Sequence, residues 1–191
     1  DADIEKAAKM SVYACFNNSG QECSSLSRLI IPSSKRDQVV ETISNTMVRY
    51  SVGDPMDESI RCGPMVSARQ QKSVTNYIKS GIIEGATLVA GGDGMPDGLE
   101  NGYFVKPTVF ADVTPDMTIF REEIFGPVLT ITTYETEDEA IDLANDSEYG
   151  LSGGIWSGNE DRAMRVARKI RTGQVSINGG AFNISAPFGG Y

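Results

Sequence analysis

The sequence contains no histidine. That removes Ser-His-Asp triads, Cys-His dyads, H-E-x-x-H zinc sites and the zinc deaminases from consideration. Any cysteine chemistry must recruit another base, or a base from outside this chain. Cysteine itself is scarce: Cys15, Cys23 and Cys62. An odd count at scattered spacing does not make a disulfide framework, and a reducing cytoplasm is the expected setting. No CxxC pair occurs, so no metal site is expected. Positive charge is also short, with 17 Lys and Arg against 26 Asp and Glu and a net charge of −9. Nucleic acid and anionic membranes need clustered Lys and Arg, so neither is expected as a partner. No apolar run approaches the roughly 18 residues of a membrane span, and neither membrane insertion nor export is expected.

What is present suits one globular domain. A length of 191 residues can bury a real core, and 40% apolar residues is ordinary for a soluble protein. Helical and strand patterns alternate. Ile4 to Cys15 reads as a first helix, with Ile4, Ala8, Ser11 and Cys15 on one face. A second begins at a capping box, Ser34-Lys35-Arg36-Asp37, and carries Val39, Val40, Ile43 and Met47. A third begins at Ser67-Ala68-Arg69-Gln70, with Val74, Tyr77 and Ile78 inward. A fourth follows Thr136 and carries Ala140, Ile141 and Ala144. A fifth is capped by Asn159, carries Ala163, Val166, Ala167 and Ile170, and stops at Gly173. Between them lie strand-like runs at 28–31, 87–90, 105–110, 128–134, 151–156 and 174–178. Pro107 marks the third run as an edge strand, if it is a strand at all. The pattern predicts an α/β fold: an open, largely parallel twisted sheet with helices on both faces. Ligands of such sheets bind beyond the carboxyl ends of the strands.

Three segments carry chemistry. The first is Gly20-Gln21-Glu22-Cys23-Ser24-Ser25, a thiol behind a glycine turn between a helix and an apolar run. Most lone cysteines are buried and structural. The turn and the small residues after Cys23 favour exposure on a loop instead. Cys15 reads as core and Cys62 as a loop residue. The second segment, Glu122-Glu123-Ile124-Phe125-Gly126-Pro127, reads by itself as an acidic turn before a strand. The third, Ser185-Ala186-Pro187-Phe188-Gly189-Gly190-Tyr191, reads by itself as a glycine-rich loop.

Together, in this order, and with Phe16-Asn17-Asn18-Ser19 ahead of the first, the segments resemble the aldehyde dehydrogenase superfamily. The resemblance covers essentially the whole chain. It implies that Cys23 attacks an aldehyde carbonyl to give a thiohemiacetal, with its own backbone N–H helping to hold the oxyanion. Hydride passes to NAD or NADP, with NAD favoured, and the thioester left behind is hydrolysed. It implies that Glu123 accepts from the nicotinamide-ribose hydroxyls and that Phe125 packs near the nicotinamide ring. Phe188 lines a substrate tunnel, and Phe182 its mouth. Gln70 and Lys72 fall in a region that reaches the adenosine end of the cofactor.

Other family features find no match: the glycine-rich cofactor turn, the glutamate of the E-L-G-G-K motif that acts as base, and the asparagine of the oxyanion hole. Residues 1–191 are therefore expected to be a single thiol-bearing catalytic domain. The cofactor-binding domain and oligomerisation strand of the family are absent, and the chain alone is expected to be inactive. The full-length enzyme is expected to form a homo-oligomer. Transfer of the acyl group to coenzyme A stays open as an alternative. So do a thiol acyltransferase or hydrolase that uses no nicotinamide, and a non-catalytic interaction domain.

Overall fold

The computed structural model describes residues 1–181 and 183–191. Phe182, expected at a tunnel mouth, lies outside the described residues.

Four strands form one sheet: β1 (Arg28–Pro32), β2 (Thr87–Ala90), β3 (Thr108–Ala111) and β4 (Val128–Tyr134). Their spatial order is β1-β4-β3-β2. β4 runs parallel to both of its neighbours, with Arg28 opposite Thr130 and Thr108 opposite Val128. β2 is antiparallel to β3, with a register shift between Leu88 and Ala90. A separate parallel pair consists of β5 (Ser152–Ile155) and β6 (Gln174–Ile177). The sheet is thus open and mostly parallel, as the alternating pattern predicts.

Side-chain alternation along the central strands builds two cores. Val109, Ala111, Leu129 and Ile131 point to one face, where they meet Ala8, Val12, Cys15 and Phe16 of α1 (Ile4–Phe16) and Val39 and Ile43 of α2 (Arg36–Met47). Phe110 and Val128 point to the other. There they meet Val74 and Ile78 of α3 (Ala68–Ile83) and Ile119 and Phe120 of α4 (Thr118–Arg121). Two more helices follow, α5 (Glu137–Asn145) and α6 (Glu160–Ala167).

Local chemistry explains most helix starts. Asp3, Ser67, Thr136 and Asn159 each accept the backbone N–H three residues on, satisfying an otherwise orphaned donor. The capping box expected at Ser34 does not form. A 3₁₀ turn, Ser33–Lys35, leads into α2 instead, and no side chain caps that helix. Helix α4 had no sequence signal. Its cap is remote: Glu84, at the end of α3, accepts from the Thr118 N–H at 2.7 Å and from its hydroxyl at 2.5 Å. The expected edge strand around Pro107 is also corrected. The strand begins only at Thr108 and lies between β4 and β2. Having no N–H, Pro107 stops just short of the ladder, and the Thr108 N–H bonds Pro127 instead. Helix α6 ends at Ala167 rather than reaching Ile170.

Leu129 is fully buried at the centre of the first core. Leu129→Ala should lower unfolding stability by about 2–5 kcal/mol, since the surrounding strands and α1 cannot close the cavity. Urea denaturation followed by circular dichroism measures this, and an unchanged midpoint would contradict the packing described.

Candidate active site

Helix α1 ends on Phe16, wholly buried and edge-on to the Tyr50 ring at 5.5 Å. The chain then takes three successive left-handed residues: Asn18 at φ 48°, Ser19 at 55° and Gly20 at 69°. Such backbone is costly for residues other than glycine and persists only when its surroundings hold it. Here side chains hold it. The Ser19 hydroxyl donates to the Gly63 carbonyl at 3.1 Å. The Gln21 amide donates to Pro64 at 3.3 Å and accepts from the Val66 N–H at 2.9 Å. Gly20 is required for a second reason. A β-carbon there would overlap the carbonyl oxygen of Gly126.

The next turn is closed by the Ser25 N–H bonding Glu22 at 3.1 Å, with Cys23 and Ser24 at its tip. The Cys23 thiol is exposed. Its backbone N–H has no acceptor among the described residues. Beyond the turn, the Ser24 carbonyl accepts from the Ser152 hydroxyl at 2.9 Å, tying the loop to β5. Arg28 donates to the last carbonyls of α5, at Leu143 and Ala144, and fixes where the chain enters β1.

The other two thiols are different in kind. Cys15 is wholly buried and donates to the Val128 carbonyl at 3.3 Å. Burial, with the neighbouring Cys62 adding to it, raises its pKa strongly. Cys62 pairs with Val52 in an isolated bridge, and burial pushes its thiol up to about 12. Cys62 thus lies outside the named helices and strands, as expected of a loop residue, but is buried in the first core.

The acidic segment packs directly against the Cys23 turn. Its Gly126 backs onto Gly20 on one side and onto Val74 of α3 on the other. The two adjacent carboxylates have separate fates. Glu122 accepts from the Tyr77 hydroxyl at 2.8 Å, and that bond, with partial burial, pushes the tyrosine up to about 12. The Glu123 carboxylate makes no hydrogen bond or ion pair among the described residues. Its backbone N–H reaches the Tyr149 hydroxyl at 3.4 Å. Phe125 follows at φ 53° and is partly exposed. Cys23, Glu123, Phe125 and Tyr149 all line one cleft of about 770 Å³, which continues between the facing edges of β1 and β5.

Two expectations fare differently. Phe188 lies after β6, is 62% exposed, and does not line this cleft. Gln70 turns inward to the acidic segment, while Lys72 is exposed on α3. From sequence Tyr77 reads only as an inward residue of the third helix, and Tyr149 carries no reading at all. Tyr77 sits seven residues beyond Gln70, on the same face of α3, and that spacing was its available signal. Among the described residues, no group of His, Cys, Asp and Glu is placed to hold a metal ion, and no helix is long and apolar enough to cross a membrane.

The family model for the aldehyde dehydrogenase family matches residues 1–191. The chain belongs to the aldehyde dehydrogenase family. It is 49% identical over 191 residues to the 3-succinoylsemialdehyde-pyridine dehydrogenase of a Pseudomonas species, and 46% identical over 190 residues to the geranial dehydrogenase of Castellaniella defragrans. All of this chain aligns in each case, against 40% and 39% of those aldehyde dehydrogenases, so it spans about two fifths of the relatives' length. A mutant of aldehyde dehydrogenase C from Pseudomonas syringae, solved with NAD+ and octanal, superposes with a TM-score of 0.98 at 43% identity. The Mycobacterium tuberculosis aldehyde dehydrogenase solved with NAD+ superposes at 0.96 with 46% identity. Both are covered over 39% of their length by the whole of this chain.

Exposure and burial set the order of thiol reactivity. At pH 8, iodoacetamide should label Cys23 first, because the other two thiols are buried and stay protonated well above that pH. Cys15 and Cys62 should label only after denaturant is added. Peptide mass spectrometry reads the order, and comparable labelling of either buried thiol in the folded chain would overturn it.

Proposed function

We propose that residues 1–191 are the thiol-bearing catalytic domain of an NAD(P)-dependent aldehyde dehydrogenase, with NAD favoured. The whole enzyme oxidises an aldehyde to a carboxylic acid in the cytoplasm, as a homo-oligomer. The observation that carries this reading is one cleft lined both by an exposed thiol, Cys23, and by Glu123, whose carboxylate makes no hydrogen bond or ion pair among the described residues. Solved relatives holding NAD+ support the choice of cofactor.

The residues fit a nicotinamide nucleotide. Among the described residues nothing bonds either Glu123 carboxylate oxygen, and such a carboxylate can accept from both hydroxyls of a ribose diol. Glu122 already accepts from the Tyr77 hydroxyl through one carboxylate oxygen, so it is the more committed of the two. Phe125 supplies an apolar face in the same cleft. When bound, the nicotinamide accepts the hydride that leaves the former aldehyde carbon.

The thiolate of Cys23 adds to the aldehyde carbonyl, forming a carbon–sulfur bond and a thiohemiacetal oxyanion. The Cys23 backbone N–H, which has no acceptor among the described residues, donates to that oxygen. Loss of hydride leaves a thioester on Cys23. Water cleaves it, releasing the acid and restoring the thiol. By family resemblance, the base for that water is a glutamate outside this chain. Phe182 and Phe188 are assigned to the aldehyde's tail by family resemblance alone.

In the full-length enzyme, Cys23→Ala should lower NAD-dependent aldehyde oxidation by roughly ten-thousandfold or more, because the covalent route is lost. Dehydrogenase activity surviving in that variant would sink the mechanism.

Glu123→Gln should act more gently and on a different constant. The carboxylate orients only the nicotinamide half, so kcat should fall about tenfold while KM for NAD changes less than about threefold. Steady-state kinetics checks the split. A large rise in KM at unchanged kcat would reassign the residue.

A further inference from the structure

Helix α3 offers one row of side chains to the acidic segment. Gln70, Val74 and Tyr77 share a face, and each meets a different part of that segment. Tyr77 holds the Glu122 carboxylate, and Val74 backs Gly126. The Gln70 amide nitrogen donates to two successive carbonyls, Ile124 at 3.2 Å and Phe125 at 2.9 Å. Both partners can only accept, so the nitrogen, not the oxygen, of the amide faces them. The –NH₂ group has two hydrogens, and both are used.

That arrangement constrains the backbone. In an extended chain, successive carbonyls point to opposite sides. One donor group can reach two in a row only if the residue between them leaves extended geometry. Phe125 does so, at φ 53°, in the left-handed region that an aromatic residue rarely enters. Without the amide, Phe125 would be expected to relax to negative φ. Its ring and the adjoining Glu123 carboxylate would then swing relative to the Cys23 turn, which touches the same segment through Gly20 and Gly126.

We propose that Gln70 is a positioning residue: its side-chain amide clamps the Ile124 and Phe125 carbonyls and thereby aims Glu123 and Phe125 at the bound nicotinamide. This rests on the cofactor role proposed above for those two residues. It also reassigns Gln70 itself. With both donors committed to the segment, only its carbonyl oxygen is left for any adenosine contact. The prediction is therefore an effect on hydride-transfer geometry and not on cofactor affinity. The side chain must be a glutamine for this purpose. A glutamate would set a carboxylate against two carbonyl oxygens, and a methionine of similar volume would offer no donor.

The test uses the full-length enzyme and Gln70→Met, which preserves helix propensity and bulk. The readouts are kcat, KM for NAD, and the deuterium isotope effect with an aldehyde labelled at its carbonyl carbon. A misaimed ring should lower kcat by about tenfold to a hundredfold while KM for NAD moves less than about threefold. The isotope effect on kcat should rise, because hydride transfer becomes the slow step. Gln70→Glu should behave similarly or worse. Should Gln70→Met fail to fold, Gln70→Asn replaces it. That side chain is one methylene shorter, reaches one carbonyl at most, and should show the same split at smaller size. Wild-type kcat and isotope effect would overturn the proposal, as would a raised KM for NAD at unchanged kcat. Cys23→Ala is assayed in parallel. If it is inactive while Gln70→Met matches wild type, the clamp alone is wrong; if Cys23→Ala stays active, the underlying reading of the cleft is wrong.

Discussion

The site depends on one backbone-to-backbone contact. Gly20 lies against the Gly126 carbonyl so closely that no β-carbon fits between them, and Gly126 in turn lies against Val74 of α3. Two segments about a hundred residues apart in sequence are thereby held at a fixed spacing, with a helix as the backstop. Everything that defines the cleft hangs on either side of that contact. The turn bearing Cys23 departs from Gly20, and Glu123 and Phe125 precede Gly126. A larger residue at either glycine would not merely strain a turn. It would force the two segments to shift against each other, and it would do so where three consecutive left-handed residues already require support from Ser19 and Gln21.

Burial sorts chemically similar groups into different roles. Three thiols share the chain, yet two sit in the core where the thiolate is disfavoured, and one stands at the tip of a turn. Two glutamates are adjacent, yet one accepts from a tyrosine hydroxyl and the other makes no hydrogen bond or ion pair among the described residues. Of the thiols only Cys23 lines the cleft, whereas both glutamates line it. This selection costs little in sequence. It is set by which way a turn faces, and by whether a neighbouring helix happens to place a donor within reach.

The architecture suits such a division. β4, buried on both faces, carries the two cores, while the site is assembled from loops at the periphery of the sheet. A rigid central strand flanked by helices tolerates unusual loop backbone, because the packing energy is invested elsewhere. The cleft continues between β1 and β5, two strand edges that belong to separate sheets among the described residues. The chain belongs to the aldehyde dehydrogenase family and spans about two fifths of the length of the relatives it matches.

Local patterns foretold much of this. Asp3, Ser67, Thr136 and Asn159 lie where short-range capping operates, and such caps are readable because donor and acceptor are three residues apart. Runs of β-branched residues located the strands, since a half-buried or buried pleat selects them by shape. The motif around Cys23 and the acidic segment were also legible, as residue types in order. Long-range contacts decided the rest. Helix α4 exists because Glu84 caps it from another helix, and no window around Thr118 contains that information. Pro107 argued for an edge, but the ladder simply begins one residue later, so β3 lies inside the sheet. Two adjacent glutamates are indistinguishable in sequence by any local physical rule. Only the placement of Tyr77 separates them. Sequence by itself determined most of the elements and which residues are chemically able. The tertiary structure decided which of those are free to act, because freedom depends on neighbours brought from far along the chain.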